Sequence, residues 1–105
     1  MKLLCIGDSL TFGYETDISK KWTRLLEKEL NIEVINFGIN GDTTSGMLSR
    51  FISAITQFKP THCLIFGGTN DLWFGLNDAF IMSNVYGMCK NIQVIIYLYL
   101  NPLRR

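Results

Sequence analysis

The apolar positions of this chain fall into four short runs of strand length, separated by stretches with helical periodicity. The runs occupy residues 3–6, 32–36, 61–66 and 92–100. Short apolar runs rich in β-branched residues predict strands, and runs without polar alternation predict strands buried on both faces, which are typical of parallel sheets. The chain is therefore predicted to alternate strand and helix in the order β-α-β-α-β-α-β.

Three helices are predicted between these strands. The first covers residues 20–30, and its predicted buried face consists of Trp22, Leu25, Leu26 and Leu30. The second ends before Pro60, because proline disfavours helical backbone in the residue that precedes it. Its apolar positions are Met47, Leu48, Phe51, Ile52 and Ile55. A third helical region lies between residues 76 and 89, weakened by Gly87, and residues 11–19 are predicted to form a polar loop.

This order predicts one α/β domain, a parallel sheet with right-handed crossovers and helices on both faces. The 105 residues fit a single domain over residues 1–105 and are too few for two. A doubly wound fold normally adds a fifth strand and a covering helix, so we expect about four strands, with the last strand and helix missing. The apolar segment from Ile95 to Leu100 would then lie at or near an uncovered sheet edge, where we expect self-association.

Composition and charge narrow the range of functions. Hydrophobic residues make up 48% of the chain and the net charge is +1, which indicates a globular protein without an electrostatic attraction for nucleic acid or anionic membranes. Cys5, Cys63 and Cys89 lack the spacing of zinc ligands and are predicted to be buried free thiols in a reducing compartment. Because no apolar run has the length of a signal peptide or a membrane span, we expect a cytoplasmic protein.

Three turns that follow predicted strands carry the residues of chemical interest. Ser9 follows the first strand, Gly41 lies in the loop after the second, and Asn70 follows the third. Because parallel strands direct their carboxyl ends to one edge of a sheet, we expect these residues to share one crevice. There, Ser9 would be a nucleophile, while its own N–H, the N–H of Gly41 and the side-chain amide of Asn70 would stabilise an oxyanion.

The residues beside these three have predicted supporting roles. Asp8 and Asp71 are short carboxylates at strand ends, which more often cap backbone N–H groups than act as acids. Candidate residues for a substrate pocket are Leu10, Leu72 and Trp73. Trp73 and its neighbour Phe74 fit two descriptions equally well, the lining of an acyl pocket or the core of the following loop.

These three turns resemble the sequence blocks of the GDSL, or SGNH, hydrolase family of esterases and lipases. Gly-Asp-Ser-Leu at residues 7–10 matches the first block, Gly41 the glycine of the second, and Gly-Thr-Asn-Asp at residues 68–71 the third. The resemblance covers roughly residues 2–100 and implies a flavodoxin-like three-layer α/β/α sandwich. It also implies that Ser9 hydrolyses small acyl or acetyl esters through an acyl-enzyme, without metal or cofactor, and that Gly41 and Asn70 complete the oxyanion hole.

The fourth block of this family, an Asp-x-x-His motif that supplies the base, has no counterpart in the sequence. The only histidine, His62, is predicted at the entry of the third strand, about five residues of roughly 3.3 Å each from the end that faces Ser9. Loss of a triad member leaves about 10³- to 10⁴-fold catalysis over water, so we expect the chain alone to be nearly inactive. It is interpreted as a truncated or frame-shifted product, as one half of a split enzyme, or as a binding module for acyl or carbohydrate esters, with truncation favoured.

Overall fold

Strands and helices follow one another in the order that the apolar pattern predicts. The computed structural model describes residues 1–13, 17–90 and 95–98. The strands within these ranges are β1 (Lys2–Gly7), β2 (Glu33–Gly38), β3 (His62–Phe66) and β4 (Ile95–Leu98). The α-helices are α1 (Ser9–Phe12), α2 (Trp22–Leu30), α3 (Thr44–Phe58), α4 (Thr69–Trp73) and α5 (Asp78–Cys89), and a 3₁₀ turn precedes α2 at Ile18–Lys20.

The strands form one parallel sheet in the order β2-β1-β3-β4. At the carboxyl end of β1, Gly7 pairs with Gly38 of β2 and with Phe66 of β3. The three strands therefore end level with one another, and the loops that follow them leave from one edge of the sheet. This confirms the predicted parallel sheet and places the three candidate turns on neighbouring strands.

Two apolar clusters pack on opposite faces of the sheet. The larger joins β1 and β3 to α3 and α5, and its buried members are Leu4, Ile6, Met47, Phe51, Ala54, Cys63, Ile65, Ile81, Val85 and Met88. The smaller contains Leu3, Cys5 and Leu64, which contact α2 through Trp22 and Leu26. Neighbouring residues of β1 belong to different clusters because successive side chains of a strand point to opposite faces. Helices thus cover both faces, which confirms the α/β/α sandwich.

The buried helix faces are narrower than predicted. Leu25 and Leu30, both on the predicted buried face of α2, are each 53% exposed, and Ile52, one of the apolar positions of α3, is 55% exposed. In α2, only Trp22 and Leu26 of the predicted face pack against the smaller cluster. Helical spacing identifies the side of a helix that faces the core, but the width of the contact depends on the surface beneath it.

Two short helices were not predicted. One is α1, Ser9–Phe12, whose second half falls in the polar loop predicted over residues 11–19. The other is α4, Thr69–Trp73. A helix of four or five residues contains little more than one turn, so it cannot show the repeated apolar spacing that identifies longer helices. Both helices begin two or three residues after the end of a strand, at the edge of the sheet that carries the candidate site.

β4 is observed over Ile95–Leu98, and the rest of the strand predicted at residues 92–100 lies outside the described residues. Among the described strands, β4 pairs only with β3 and is therefore an outer strand of the sheet. Within the described residues, none of the helices has the length and apolar character needed to cross a bilayer.

The three cysteines are free, as predicted, but they are not equally buried. Cys5 and Cys63 are buried, whereas Cys89 is half-buried. Desolvation raises the pKa of Cys5 and of Cys63 to about 12, and it also raises the pKa of Cys89. Because the thiolate is the nucleophile, the two core cysteines should be chemically inert in the folded chain.

We therefore expect iodoacetamide, near neutral pH, to modify Cys89 first and to leave Cys5 and Cys63 unmodified while the chain is folded. Intact-mass and peptide-mass measurements over time would follow the order of labelling. All three cysteines should react together in guanidinium chloride, which serves as the control. Labelling of Cys5 or Cys63 in the folded chain as fast as that of Cys89 would contradict the packing described above.

Candidate active site

Ser9 is the first residue of α1 and lies just beyond the carboxyl end of β1. Asp8 caps this helix, because its Oδ1 accepts a hydrogen bond of 2.9 Å from the backbone N–H of Leu10. The helix ends after one turn at Gly13, which has a φ of 80°. Asp8 is buried and Ser9 half-buried. The turn is thus anchored on its inner side and leaves the serine partly accessible, with Asp8 in the capping role expected for it.

Gly41 lies in the loop between β2 and α3 and is exposed. The start of this loop is bonded to the end of β1, since Ile39 N donates to Gly7 O at 3.0 Å. The loop turns back where Asp42 N donates to Ile39 O at 3.2 Å. The φ of Gly41 is 80°, a left-handed conformation that glycine adopts without strain. In the described part of the chain, no atom lies within 4 Å of where a Cβ would stand, so the backbone conformation is what requires glycine here.

Asn70 is the second residue of α4, immediately after β3 and the two glycines that follow it. Its Nδ2 donates to the backbone oxygen of Asp42 at 2.9 Å. The Asn70 side chain is therefore tied to the loop that carries Gly41. Because an amide nitrogen has two hydrogens, one remains for a second acceptor. Ser9, Gly41 and Asn70 thus follow three adjacent strands at one edge of the sheet, as the sequence predicts.

Asp71 is fully buried and joins three helices. Its Oδ1 accepts from Thr44 N at 2.9 Å and its Oδ2 from Thr44 Oγ1 at 2.6 Å, both at the start of α3. Thr44 Oγ1 also accepts from Nδ2 of Asn84 in α5 at 3.0 Å. A carboxylate is favourable at a helix N-terminus, where N–H groups lack partners within the helix. Asp71 therefore caps a backbone N–H, as expected, but that N–H belongs to a distant helix.

Arg50, which the sequence analysis did not single out, lies at this same edge. Its guanidinium donates to the carboxylate of Asp42 and to the backbone oxygens of Phe37 and Gly7. The guanidinium carbon is 4.6 Å from the centre of the Phe37 ring. Arg50 is the only charged residue in α3. A single charge in an otherwise uncharged helix is the signal that would have identified it.

Asp8 lies close to other carboxylates, and this affects its ionisation. Burial raises the pKa of Asp8, and the charges of Asp42 and Asp71 raise it further, while the hydrogen bond from Leu10 N acts in the opposite direction. The net effect is a pKa above the ordinary value of 3.8. A buried negative charge at this turn therefore costs stability, although its hydrogen bond orients the helix that carries Ser9.

The candidate pocket residues do not share one environment. Leu10 is 44% exposed, and Trp73 and Phe74 are 67% and 70% exposed, so neither aromatic residue belongs to the core of the described chain. Leu72, in contrast, is half-buried and packs against the larger apolar cluster. Leu10 is fixed by its backbone oxygen, which accepts a hydrogen bond of 2.9 Å from Nε1 of Trp22. Exposed apolar side chains thus follow Ser9 and Asn70 in the sequence.

His62 lies where the sequence predicts, at the start of β3 and therefore at the opposite edge of the sheet from Ser9. Its Nδ1 is 2.8 Å from Oγ1 of the neighbouring Thr61. In residues 1–13, 17–90 and 95–98, no three His, Cys, Asp or Glu side chains are grouped so that they could hold a metal ion.

Residues 5–102 match the model of the GDSL-like lipase/acylhydrolase family. The chain belongs to this family. The match covers the three turns with Ser9, Gly41 and Asn70 and extends through β4.

Individual relatives of this GDSL-like chain are esterases. An arylesterase from Vibrio mimicus is 39% identical over 97 residues, which cover 88% of this chain and 48% of that protein. Esterase TesA from Pseudomonas aeruginosa is 34% identical over 96 residues, which cover 87% of this chain and 48% of that protein. The crystal structure of AlinE4, an SGNH-hydrolase family esterase, superimposes with a TM-score of 0.84 at 30% identity, covering 91% of this chain and 57% of that one. The chain thus spans about half the length of the curated relatives it matches.

The raised pKa of Asp8 leads to a pH-dependent prediction. The folded chain holds the Asp8 proton more tightly than the unfolded chain, so ionisation of Asp8 lowers the free energy of unfolding. This loss begins as pH rises above 3.8, the ordinary pKa, and is complete once pH has passed the higher pKa of the folded chain. Asp8→Asn keeps an acceptor for Leu10 N and cannot ionise. Urea titrations would measure the difference in free energy of unfolding between Asp8→Asn and the wild-type chain. We expect this difference to increase in favour of Asp8→Asn from acidic toward neutral pH. A difference that is constant or decreases with pH would show that Asp8 is not desolvated.

Proposed function

We propose that this chain carries the nucleophile and the oxyanion-binding groups of a serine ester hydrolase. The observation that carries the proposal is the placement of Ser9, Gly41 and Asn70 after three adjacent strands, with the Asn70 amide bonded to the loop of Gly41. Membership of a family of lipases and acylhydrolases supports the same reaction class. The arylesterase and esterase names of the relatives support carboxylic esters as the substrates.

In the proposed reaction, Ser9 Oγ attacks the ester carbonyl and its proton passes to a base. The tetrahedral oxyanion accepts hydrogen bonds from Ser9 N, Gly41 N and Asn70 Nδ2, which act without carrying a net charge. Collapse of this intermediate breaks the bond to the alcohol, which takes up the proton, and leaves an acyl group on Ser9. Water then releases the acid and restores the serine. No step requires a metal or cofactor.

The part of the chain that the structure describes places no histidine beside Ser9. His62 is the only histidine of the sequence, and it lies at the opposite edge of the sheet from Ser9. The Asp8 carboxylate, the nearest acid in the sequence, is buried and accepts from Leu10 N. Oxyanion stabilisation and binding without a base give only about 10³- to 10⁴-fold acceleration over water. We therefore propose that the chain by itself binds small acyl or acetyl esters and turns them over very slowly.

The exposed residues Leu10 and Trp73 are proposed to contact the substrate. Each comes one to three residues after a proposed catalytic group, and each presents apolar surface to solvent. Apolar surface beside a few directed polar groups is the usual composition of a ligand site. Leu72 would support Trp73 from the core side, where it packs.

The free cysteines favour a reducing, cytoplasmic location for the protein.

The Ser9-dependent hydrolysis of p-nitrophenyl acetate, with and without added imidazole, tests this proposal. The Ser9-dependent rate is the rate of the wild-type chain minus that of Ser9→Ala. We expect it to stay within about 10³- to 10⁴-fold of spontaneous hydrolysis without imidazole and to rise with imidazole, which would replace the missing base. Ser53→Ala, at an exposed serine of α3, is the matched control and should behave like the wild-type chain.

Equal rates for the wild-type chain and Ser9→Ala at every imidazole concentration would overturn the nucleophile assignment. Ser9-dependent turnover as fast as that of a full-length relative, without imidazole, would show that the chain contains its own base. Saturable ester binding without any Ser9-dependent turnover would favour a binding module instead.

A further inference from the structure

We propose that Arg50 is the positioning residue of the oxyanion site. In this arrangement, its guanidinium holds the Asp42 loop against the ends of β1 and β2, and the backbone oxygen of Asp42 orients the Asn70 amide. The inference rests on the proposed function, because it assigns a role to Arg50 within that site.

The first link joins Arg50 to Asp42. Arg50 Nε lies 2.9 Å and Nη2 2.8 Å from the same carboxylate oxygen, Asp42 Oδ2. The two side chains are only 16% and 14% exposed, so solvent screens this ion pair less than a surface pair. The other oxygen, Asp42 Oδ1, accepts from Thr43 N at 2.9 Å. Both oxygens of the carboxylate are thus engaged, and its orientation is fixed.

The second link joins Arg50 to the strand ends. Nη1 donates to Phe37 O at 2.8 Å and Nη2 to Gly7 O at 3.0 Å. Gly7 is the last residue of β1, two residues before Ser9, and Phe37 is the penultimate residue of β2, four residues before Gly41. One side chain therefore connects the segments that lead to two of the three proposed donors.

The third link leads to Asn70. Arg50 does not contact Asn70, but Asp42 does, because its backbone oxygen accepts from Asn70 Nδ2 at 2.9 Å. This bond fixes one hydrogen of the amide and so sets the direction of the other. Asp42 also directly follows Gly41, so movement of Asp42 would displace two donors together. The helix is adapted to the Asp42 carboxylate, because a Cβ on Gly46 would overlap with its Oδ1.

Arginine is suited to this position in a way that lysine is not. The planar guanidinium directs several N–H groups at once toward the carboxylate and the two carbonyl oxygens, whereas an ammonium group is a single compact centre. The remainder of α3 is uncharged, so no other side chain of this helix can substitute. Both the charge and the geometry of Arg50 are therefore needed.

The test compares Arg50→Met and Arg50→Lys with Arg24→Met in the full ¹⁵N-labelled chain. Arg24 is a matched control on α2, because it also pairs with a carboxylate, Glu27 Oε1 at 2.8 Å. NMR would measure hydrogen exchange at the Asn70 side-chain amide and at Asp42 N, which donates to Ile39 O in the loop that carries Gly41. We expect Arg50→Met to accelerate both about tenfold or more, which is the effect of losing one charge-assisted hydrogen bond of about 1.4 kcal/mol. Arg50→Lys should give an intermediate result and Arg24→Met no change.

Exchange at the buried amides of Leu4 and Ile6 reports the global stability and should change much less than exchange at Asn70. If Arg50→Met fails to fold, Arg50→Lys and Asp42→Asn provide the same comparison. Exchange at the Asn70 side chain and at Asp42 N that matches the wild-type chain in the folded Arg50 variants would overturn the proposal. So would exchange that increases equally at Asn70 and in the core, because that indicates general destabilisation.

The imidazole-assisted esterase assay separates this inference from the proposed function. In Arg50→Lys, the Ser9-dependent rate should fall mainly in kcat and less in KM, because oxyanion donors act on the transition state. Absence of Ser9 dependence in the wild-type chain would remove the proposed function while the NMR result still reports the structural link. A normal kcat together with unchanged exchange at Asn70 would remove the role of Arg50 alone.

Discussion

The structure depends on the register of three parallel strands. Gly7 pairs with both Gly38 and Phe66, so β1, β2 and β3 end at one level. Burial of β1 on both faces stabilises this register, because a shift of one residue would move each of its side chains into the other apolar cluster. Ser9 and Asn70 are at most four residues from these strand ends, so the register determines where both groups lie.

Much of the fold follows from the sequence because strands and long helices carry repeated apolar patterns. The positions of Ser9 and Asn70 follow as well, since parallel strands must end at one edge. The proposed role of Arg50 does not follow from the sequence. Its partners include backbone oxygens, and because every residue has one, the sequence does not indicate which of them accept. The exposure of Leu25 and Ile52 does not follow from the sequence either, because helical periodicity does not show how wide a surface the sheet offers each helix.

The proposed site separates two requirements of serine hydrolysis. Stabilisation of an oxyanion needs N–H groups held in fixed directions. This edge of the sheet has a partly buried ion pair and a buried carboxylate, Asp71, that fix the loops carrying them. Activation of the hydroxyl needs a base, and the single histidine lies at the other edge. The chain spans about half the length of its curated relatives. The role proposed for these residues is therefore oxyanion binding more than proton transfer.

The most direct test of this account is a crystal structure of the chain with a phosphonate bound covalently to Ser9, since the phosphonyl oxygen mimics the oxyanion. The account predicts that this oxygen lies about 2.7–3.1 Å from Ser9 N, Gly41 N and Asn70 Nδ2. It also predicts that the Asn70 amide keeps its bond to Asp42 O. A phosphonyl oxygen that points to solvent, or that contacts neither Gly41 nor Asn70, would contradict it.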